Sequence, residues 1–496
     1  MDRSWLRSGA VGLLASVLLP PLGLLLIWTR PGIRLAVRVL ASVALAVLGV
    51  AYLYLFFGLR MEVDGSGVRP ILSFHQPERH YAAIEEDRAA PRIVPAAAPL
   101  SPAADRELAA PAAEAAWPAF RGRGQLGVYE SPIQTAWPAK GLPRLWKQPV
   151  GGGYSSFAVA GGKAFTIEQR RSQEVVAAYD LKTGRELWKN AWDGLFQESM
   201  GGDGPRTTPT WDQGRLYALG ALGEFRCLDA ETGKLLWTTN ILEENGAENL
   251  TWAMSASPLI VQDKVIVLPG GQGRSVVAYD KKTGKTVWAV LTDKQAYTTP
   301  IEVTLAGQRQ ILVVSATRAM GLTPDKGELL WSYPWRTEYD VNSAQPIVTG
   351  PDRFFISAGY GHGAALVRIV RKGAGFSAET VWQNTRMKNK FASSVLYQGH
   401  IYGLDEAILA SINAETGALN WKGGRYGYGQ LVLAGGYLIV LSEAGELVLV
   451  KATPERHTEL ARFPAIEGKT WNHPAVAGGL LLVRNTEEMA CFRIAP

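Results

Sequence analysis

Short segments of alternating apolar and polar residues fill most of the chain after residue 117, and polar turns rich in glycine separate them. Such segments predict β-strands, because successive side chains of a strand point to opposite faces. One eleven-residue sequence motif, here called the repeat word, recurs among them. It first reads AYDLKTGRELW at Ala178–Trp188 and returns as CLDAETGKLLW, AYDKKTGKTVW, GLTPDKGELLW and SINAETGALNW. Each copy predicts a hairpin whose first strand ends at a polar turn and whose second strand ends in Trp.

The closing aromatic residues of these words recur at intervals of about 40 to 50 residues, which with four strands per unit is typical of a β-propeller. Eight closing positions are present: Trp146, Trp188, Trp237, Trp288, Trp331, Trp382, Trp421 and Phe463. The repeat word that ends at Trp146 lacks its first strand, and the last unit lacks the second strand that would close on Trp. We therefore predict an all-β fold, an eight-bladed β-propeller of four-stranded antiparallel blades whose ring is closed by strands from both ends of the domain.

Two apolar stretches precede the repeats and predict a transmembrane helical hairpin over residues 9–28 and 35–59. Arg30 and Arg34 lie between them and Arg38 lies in the first turn of the second, and the positive-inside rule places this loop in the cytoplasm. The rest of the chain is then extracytoplasmic, on the periplasmic side of a membrane anchor. An uncleaved signal anchor plus one span is the alternative interpretation.

Three regions follow from these patterns: a membrane anchor at 1–59, a linker at 60–116, and the propeller at 117–496. The linker is predicted from a polar stretch followed by the Ala/Pro-rich run APRIVPAAAPLSPAADRELAAPAAEAA, whose composition favours an extended spacer. The formal net charge of +6 is mild for a chain of 496 residues, so we predict no nucleic-acid binding. We expect a monomeric propeller.

Chemical variety is concentrated at one predicted end of the ring. In an up-and-down blade, the connections between blades and the turns between second and third strands emerge on the same face, and here these carry charged, amide and aromatic residues. The opposite face has minimal turns. Binding residues collect on loops that a rigid scaffold positions. The candidate ligand or partner residues are Glu168, Arg170, Arg206, Asn249, Trp252, Lys390, Asp405, Trp471 and Asn472. Each could instead satisfy backbone groups around the axis.

The repeated AxDxxTGxxxW word resembles the quinoprotein (PQQ) repeat over roughly Trp117 to Pro496. That family includes PQQ-dependent alcohol dehydrogenases and non-catalytic members such as the assembly lipoprotein BamB. The resemblance implies a propeller fold and leaves the chemistry open. For a dehydrogenase it implies PQQ over a Trp floor (Trp252 or Trp471), and Ca²⁺ held by Glu168 with Asn249 or Asn472. It further implies Arg206 near the quinone and Asp405 as base.

Two absences weigh against catalysis: the chain has no adjacent cysteine pair and no CxxCH haem-attachment motif. We predict a non-catalytic, membrane-tethered propeller with no expected cofactor, no catalytic residue and no metal site. Its partner would be an envelope protein, peptide or polymer. The alternatives are a PQQ- and Ca-dependent quinoprotein alcohol dehydrogenase and a sensor that binds a small ligand without turnover.

Overall fold

The computed structural model describes residues 19–74, 76–90 and 116–496. It divides into two compact units, with the boundary between His80 and Tyr81. The first ten residues of the predicted helix at 9–28 lie outside the described part.

The described part of the first unit begins with two apolar helices, α1 (Pro20–Thr29) and α2 (Leu35–Phe57). They form an antiparallel hairpin, because Trp28 Nε1 donates to Ser42 Oγ at 3.0 Å near the loop and Pro20 meets Gly49 at the far end. Among the described residues, only α2 is long and apolar enough to cross a bilayer, by length and composition.

The segment predicted as a linker is partly folded. Strands β1 (Leu59–Val63) and β2 (Pro70–Phe74) pair as an antiparallel hairpin, and helix α3 spans Pro77–Ala89. Proline at the first turn and a run of good helix formers explain α3. Within the second unit, Arg171 Nε donates to Glu85 Oε1 at 3.0 Å, and Arg88 donates to the carbonyl oxygen of Pro149 at 2.8 Å. The Ala/Pro-rich residues 91–115 lie outside the described part.

The remaining chain forms the predicted eight-bladed β-propeller of four-stranded antiparallel blades, and one blade gains a fifth, parallel strand at its inner edge. Two strands come before the first complete blade: β3 (Val128–Tyr129) and β4 (Arg144–Pro149). Blades 1 to 4, each from inner to outer strand, are β5–β8 (Ala158–Ala160, Lys163–Arg170, Gln173–Asp180, Glu186–Asp193), β9–β12 (Thr210–Asp212, Arg215–Leu219, Glu224–Asp229, Leu235–Asn240), β13–β16 (Leu259–Val261, Lys264–Val267, Val276–Asp280, Thr286–Val290) and β17–β20 (Ile301–Leu305, Gln308–Val314, Arg318–Leu322, Leu329–Pro334).

Blades 5 to 7 are β21–β24 (Ile347–Gly350, Arg353–Ala358, Gly363–Lys372, Gly375–Asn384), β25–β28 (Val395–Tyr397, His400–Asp405, Ile408–Asn413, Leu419–Arg425) and β29–β32 (Gln430–Ala434, Tyr437–Leu441, Glu446–Lys451, Glu459–Pro464). Blade 8 consists of β33–β35 (Ala475–Ala477, Leu480–Arg484, Glu488–Arg493) and takes β4 as its outer strand, with Cys491 opposite Trp146. This exchange closes the ring as predicted and pairs the edge that each terminus would otherwise expose. A short helix, α4 (Ile241–Glu244), follows β12.

The repeated word is explained by contacts between neighbouring blades. In blade 2, Asp229 Oδ1 accepts from the backbone N–H of Thr232 at 2.8 Å and closes the turn. Gly233 follows with φ +72°, and a Cβ there would lie 2.5 Å from the Trp188 ring of blade 1. Trp188 Nε1 also donates to the carbonyl oxygen of Ala230 at 3.2 Å. The closing Trp of one blade is thus seated on the glycine turn of the next.

A collar of hydrogen bonds joins the blades where the inner strands begin. Ser156 N–H donates to Thr208 Oγ1, Thr208 N–H to Ser257 Oγ, and Ser257 N–H to Thr299 Oγ1, at 2.8 to 3.0 Å. The series continues through Gln345 to blade 6. Each hydroxyl or amide satisfies a buried backbone N–H of the preceding blade, so these polar residues are structural.

The central hub is filled by residues Trp117–Tyr129, here called the hub strap. Its ends pair with the inner strands of blades 1 and 7 at Val159 and Leu433, away from the inter-blade connections. Its middle places Arg121, only 1% exposed, among backbone carbonyl oxygens, including that of Ser394 at 2.7 Å. The hub is therefore not an open channel.

Candidate functional site

The irregular connections of the propeller emerge at one end of the hub, as the strand order requires. We call this end the mouth. It comprises the inter-blade segments 150–157, 194–209, 241–258, 291–300, 335–346, 385–394, 426–429 and 465–474, together with the turns between second and third strands. The other end of the hub carries the short turns and the ends of the hub strap.

An aromatic platform lies on the mouth. Trp471 stacks on Tyr154 with ring centroids 5.5 Å apart and planes at 28°, and Phe391 lies 4.8 Å from the Trp471 ring. Tyr428 lies 6.0 Å from Phe391. These four rings come from four different inter-blade segments, and all are half-buried. Trp471 is held in place because its Nε1 donates to Glu443 Oε1 at 2.8 Å.

Cations border this platform. The Lys390 ammonium lies 4.6 Å from the Tyr360 ring centroid, 5.1 Å from that of Tyr428 and 5.3 Å from that of Phe391. Lys469 Nζ lies 4.5 Å from the Trp471 centroid. Such contacts attract the ammonium to the negative face of each ring. The platform thus presents apolar surface and positive charge side by side.

Apolar side chains are also exposed around the mouth. Leu195, Met200, Leu222 and Tyr339 are between 40% and 60% exposed, and all four lie on inter-blade segments or on a mouth-side turn. Tyr339 meets Tyr360 edge to face at 5.5 Å. Exposed apolar groups gathered near aromatic rings are typical of interaction surfaces.

Trp252 and Arg206 lie on the mouth, and Arg206 braces its own loop. The Arg206 guanidinium lies between the Tyr154 and Phe196 rings, 5.3 and 5.0 Å from their centroids, and donates to the carbonyl oxygens of Gly202 and Gly204. Burial lowers the pKa of Arg206. Trp252 is half-buried, with its ring 5.8 Å from that of Tyr297.

Glu168 and Arg170 belong to a buried ion network. Glu168 lies inside β6 rather than in a turn, fully buried, and accepts from Tyr179 OH at 2.6 Å and Arg170 NH2 at 2.7 Å. Burial alone would favour the neutral acid, but the Arg170 and Arg88 guanidinium groups hold the pKa of Glu168 at about 2. Arg170 also pairs with Glu186. Both oxygens of Glu168 are in use, the second by the backbone N–H of Gly151.

The other candidates also have internal partners. Asp405 is buried at the end of β26, where Lys388 Nζ and Lys422 Nζ lie 2.7 and 2.6 Å from its oxygens. Burial opposes its charge, but these two lysines hold the pKa of Asp405 below its usual range. Asn249 Nδ2 donates to the carbonyl oxygen of Ala221, and Asn472 Nδ2 donates to those of Gly153 and Ser155.

The structure therefore brings four of the nine candidates together on the mouth surface: Arg206, Trp252, Lys390 and Trp471. The side chains that the resemblance implies as calcium ligands, Glu168, Asn249 and Asn472, are each hydrogen-bonded to protein groups. Glu168 is paired with Arg170 of its own strand, and Asp405 is paired with Lys388 and Lys422. No group of three or more His, Cys, Asp or Glu suited to a metal occurs in the described ranges. A cation needs carboxylate oxygens that are not already paired.

Sequence reasoning did not single out the rings of Tyr154, Tyr360, Phe391 and Tyr428. The loops MKNKF and GGRYGYGQ already carried the signal, since aromatic residues in polar connections have no core to fill. The hub strap was missed because FRGRGQLG shows no periodicity. Its glycines are required for close approach: a Cβ on Gly127 would lie 2.7 Å from the Arg121 guanidinium.

Comparisons with known proteins give one consistent fold. A family model described as "Outer membrane protein assembly factor BamB" matches residues 171–423. The chain is 22% identical to the outer membrane protein assembly factor BamB of Burkholderia pseudomallei over 368 residues, 64% of this chain and 89% of that protein. The crystal structure of BamB from Moraxella catarrhalis superposes with a TM-score of 0.52 at 18% identity, covering 71% of this chain and 100% of that one.

A quinohemoprotein alcohol dehydrogenase, ADH-IIG of Pseudomonas putida, is 28% identical over 127 residues. That match covers 24% of this chain and only 17% of the dehydrogenase. In sequence the match therefore covers about a quarter of this chain. The solved structure of ADHIIG from Pseudomonas putida HK5 superposes with a TM-score of 0.51 at 14% identity, covering 81% of this chain and 83% of that one, which shows a shared fold alone.

Proposed function

The chain belongs to the family described as outer membrane protein assembly factor BamB, and from this premise we propose that it is a membrane-tethered, extracytoplasmic propeller that binds an envelope protein through its mouth without catalysis. Helix α2 would anchor the chain, since its length and composition suit a bilayer span. The propeller would then stand on the periplasmic side, as the arginine-rich loop indicates.

The observation that carries this proposal is the aromatic platform with its bordering cations. Trp, Tyr and Arg dominate the binding energy of protein interfaces, because they bury large rigid surfaces and keep a polar group at the edge. Here Trp471, Trp252 and Tyr360 come together with Lys390 on one surface, surrounded by exposed apolar side chains. A protein segment with apolar and acidic side chains is complementary to such a surface.

The dehydrogenase alternative has less support from the geometry. Its cation would need Glu168, which is held between Arg170 and Tyr179, and its base would be Asp405, which is bound by two lysines. The hub strap also fills the axis of the ring. The likeness to ADH-IIG is one of fold, and a shared fold does not specify a shared chemistry.

The test compares variants of the mouth with a control on an outer strand. Immobilised full-length protein in detergent would capture partners from solubilised envelope of the native cell, quantified by mass spectrometry. We expect Tyr339→Ala and Trp252→Ala each to lower capture of the same envelope protein about tenfold, the effect of losing an interface hot spot. The control Leu235→Ala removes an apolar side chain that is 38% exposed on the outer strand β12. It would leave capture unchanged.

Equal capture by all three variants would contradict the assignment of the mouth. Stoichiometric uptake of PQQ with Ca²⁺, together with dye-linked alcohol oxidation, would support the dehydrogenase instead. Arg206→Ala is a poor choice for this test, because the guanidinium holds the carbonyl groups of its own loop.

A further inference from the structure

Glu174 is a buried carboxyl at the mouth end of β7, and it has no role in the surface described above. It is fully buried. Its Oε1 accepts from the backbone N–H of Ala221 in blade 2 at 2.7 Å, and its Oε2 accepts from the indole Nε1 of Trp192 at 2.9 Å. Both partners are neutral. This differs from Glu168 of the same blade, which is held by guanidinium groups.

The fold leaves room for this carboxyl. A Cβ on Gly220 would lie 2.0 Å from Glu174 Oε2, and one on Gly194 would lie 3.2 Å from its Cγ. Neither glycine has a positive φ, so backbone conformation does not explain them. The close approach of Glu174 explains Gly220, where any side chain would collide with the carboxyl group.

The turn that Glu174 binds also holds the Trp252 loop. The carbonyl oxygen of Ala221 accepts from Asn249 Nδ2 at 2.9 Å and from the backbone N–H of Met254 at 3.2 Å. These two contacts lie on either side of Trp252. Between them Ala253 has φ +61°, a left-handed conformation that a residue with a side chain adopts only when its surroundings enforce it.

We propose that Glu174 is the positioning residue for the Trp252 loop, and that ionisation of its carboxyl weakens the contacts that hold this loop. This part of the mouth is then ordered at acid pH and mobile at neutral pH. This inference rests on the proposed function in one respect: it takes the mouth to be the binding surface. A neutral carboxyl can remain buried on the Ala221 turn, whereas a carboxylate without a cation gains by moving toward water.

The electrostatics of the site support this direction. Burial and, to a smaller extent, the Glu224 carboxylate raise the pKa of Glu174 to about 7, against the hydrogen bonds from Ala221 and Trp192, which oppose the shift. Glu224 is paired with Arg226, whose guanidinium lies over the Trp192 ring. In an opened loop the carboxyl would return to its usual pKa, so the closed loop loses stability as pH rises between about 4.5 and 7.

Hydrogen exchange of the full-length protein in detergent tests the proposal without any partner. Protection factors of the Ala221 and Met254 amides would be measured from pH 5 to pH 8, after correction for the intrinsic exchange rate. We expect protection to fall by up to about tenfold per pH unit between pH 5 and 7 and to level off above. In Glu174→Gln, which cannot ionise, protection should be independent of pH.

Glu224→Gln is the second variant and keeps Glu174 intact. Removing the neighbouring negative charge should move the transition to lower pH, which tests the proposal even where Glu174→Gln fails to fold. A wild-type protein with constant protection, the same transition in Glu174→Gln, or an unmoved midpoint in Glu224→Gln would each overturn the proposal. Because the readout is the loop itself, these outcomes are independent of whether the mouth binds an envelope protein.

Discussion

At the scale of single residues, neighbours decide what each buried charge does. Glu168 lies among Arg170, Arg88 and Arg484, so its carboxylate is a counterion that three guanidinium groups share. Arg484 itself is fully buried and donates to Thr166 Oγ1 at 2.6 Å and to the carbonyl oxygen of Gly151 at 2.9 Å. This network joins blade 8 to blade 1, where the ring is closed. Its role is therefore to hold the closure.

Glu168→Gln should destabilise the propeller by about 3–5 kcal/mol, because it leaves buried guanidinium groups without their counterion. Glu415→Gln is the control: Glu415 is 55% exposed and pairs with Arg353, and a surface pair contributes less than about 1 kcal/mol. Denaturant unfolding at pH 7 measures both.

The acid sensitivity of the wild-type protein and of Glu168→Gln gives a second readout. The pKa of Glu168 is lowered to about 2 in the folded protein, so its contribution to stability is complete above about pH 4.5 and is lost as pH falls toward 2. The wild-type protein should lose stability over this range more steeply than Glu168→Gln. Parallel pH profiles would show that Glu168 does not hold the closure.

At the scale of elements, the repeat word explains why the hairpins are where they are. The Trp of the repeat word packs on the left-handed glycine of the next blade, and both residues can be read from the sequence. The prediction that the outer strand ends at this Trp was wrong, since β8 continues beyond Trp188 to Asp193. Two closing Trp residues are exceptions. Trp331 donates to Gln310 of its own blade, and a Cβ on Gly373 in the blade 5 turn would meet nothing within 4 Å. Trp421 donates to the carbonyl oxygen of Thr453, in a blade 7 turn that has no glycine.

Gly233→Ala and Gly214→Ala separate packing from backbone strain. Both glycines have positive φ, +72° and +78°, but a Cβ at Gly214 meets nothing within 4 Å, whereas one at Gly233 meets the Trp188 ring. Each substitution should cost about 1–2 kcal/mol of left-handed strain. Gly233→Ala should lose about 1–3 kcal/mol more from overpacking. Equal losses in denaturant unfolding would mean that the ring contact contributes nothing.

At the scale of the whole molecule, the ring could be predicted and the pairing of its charges could not. The number of blades, the closure by β4 and the face that gathers the irregular loops all follow from the period of one word. Which residues of that face reach the surface depends on side-chain contacts that only the fold creates. Asp405 is bound by Lys422 from the outer strand of its own blade, and the charge of Glu168 is also stabilised by Arg484 of blade 8 and Arg88 of α3. A single sequence contains no local signal for such pairs.

The mouth as the binding surface is the central claim, and site-specific photo-crosslinking from both faces in living cells tests it most directly. The crosslinker would replace Leu222 or Tyr339 on the mouth, and Glu231 or Gln398 on exposed turns of the opposite face. The account predicts that both mouth positions capture the same envelope protein and that both opposite positions do not. Capture of that protein from the opposite face, with none from the mouth, would contradict it.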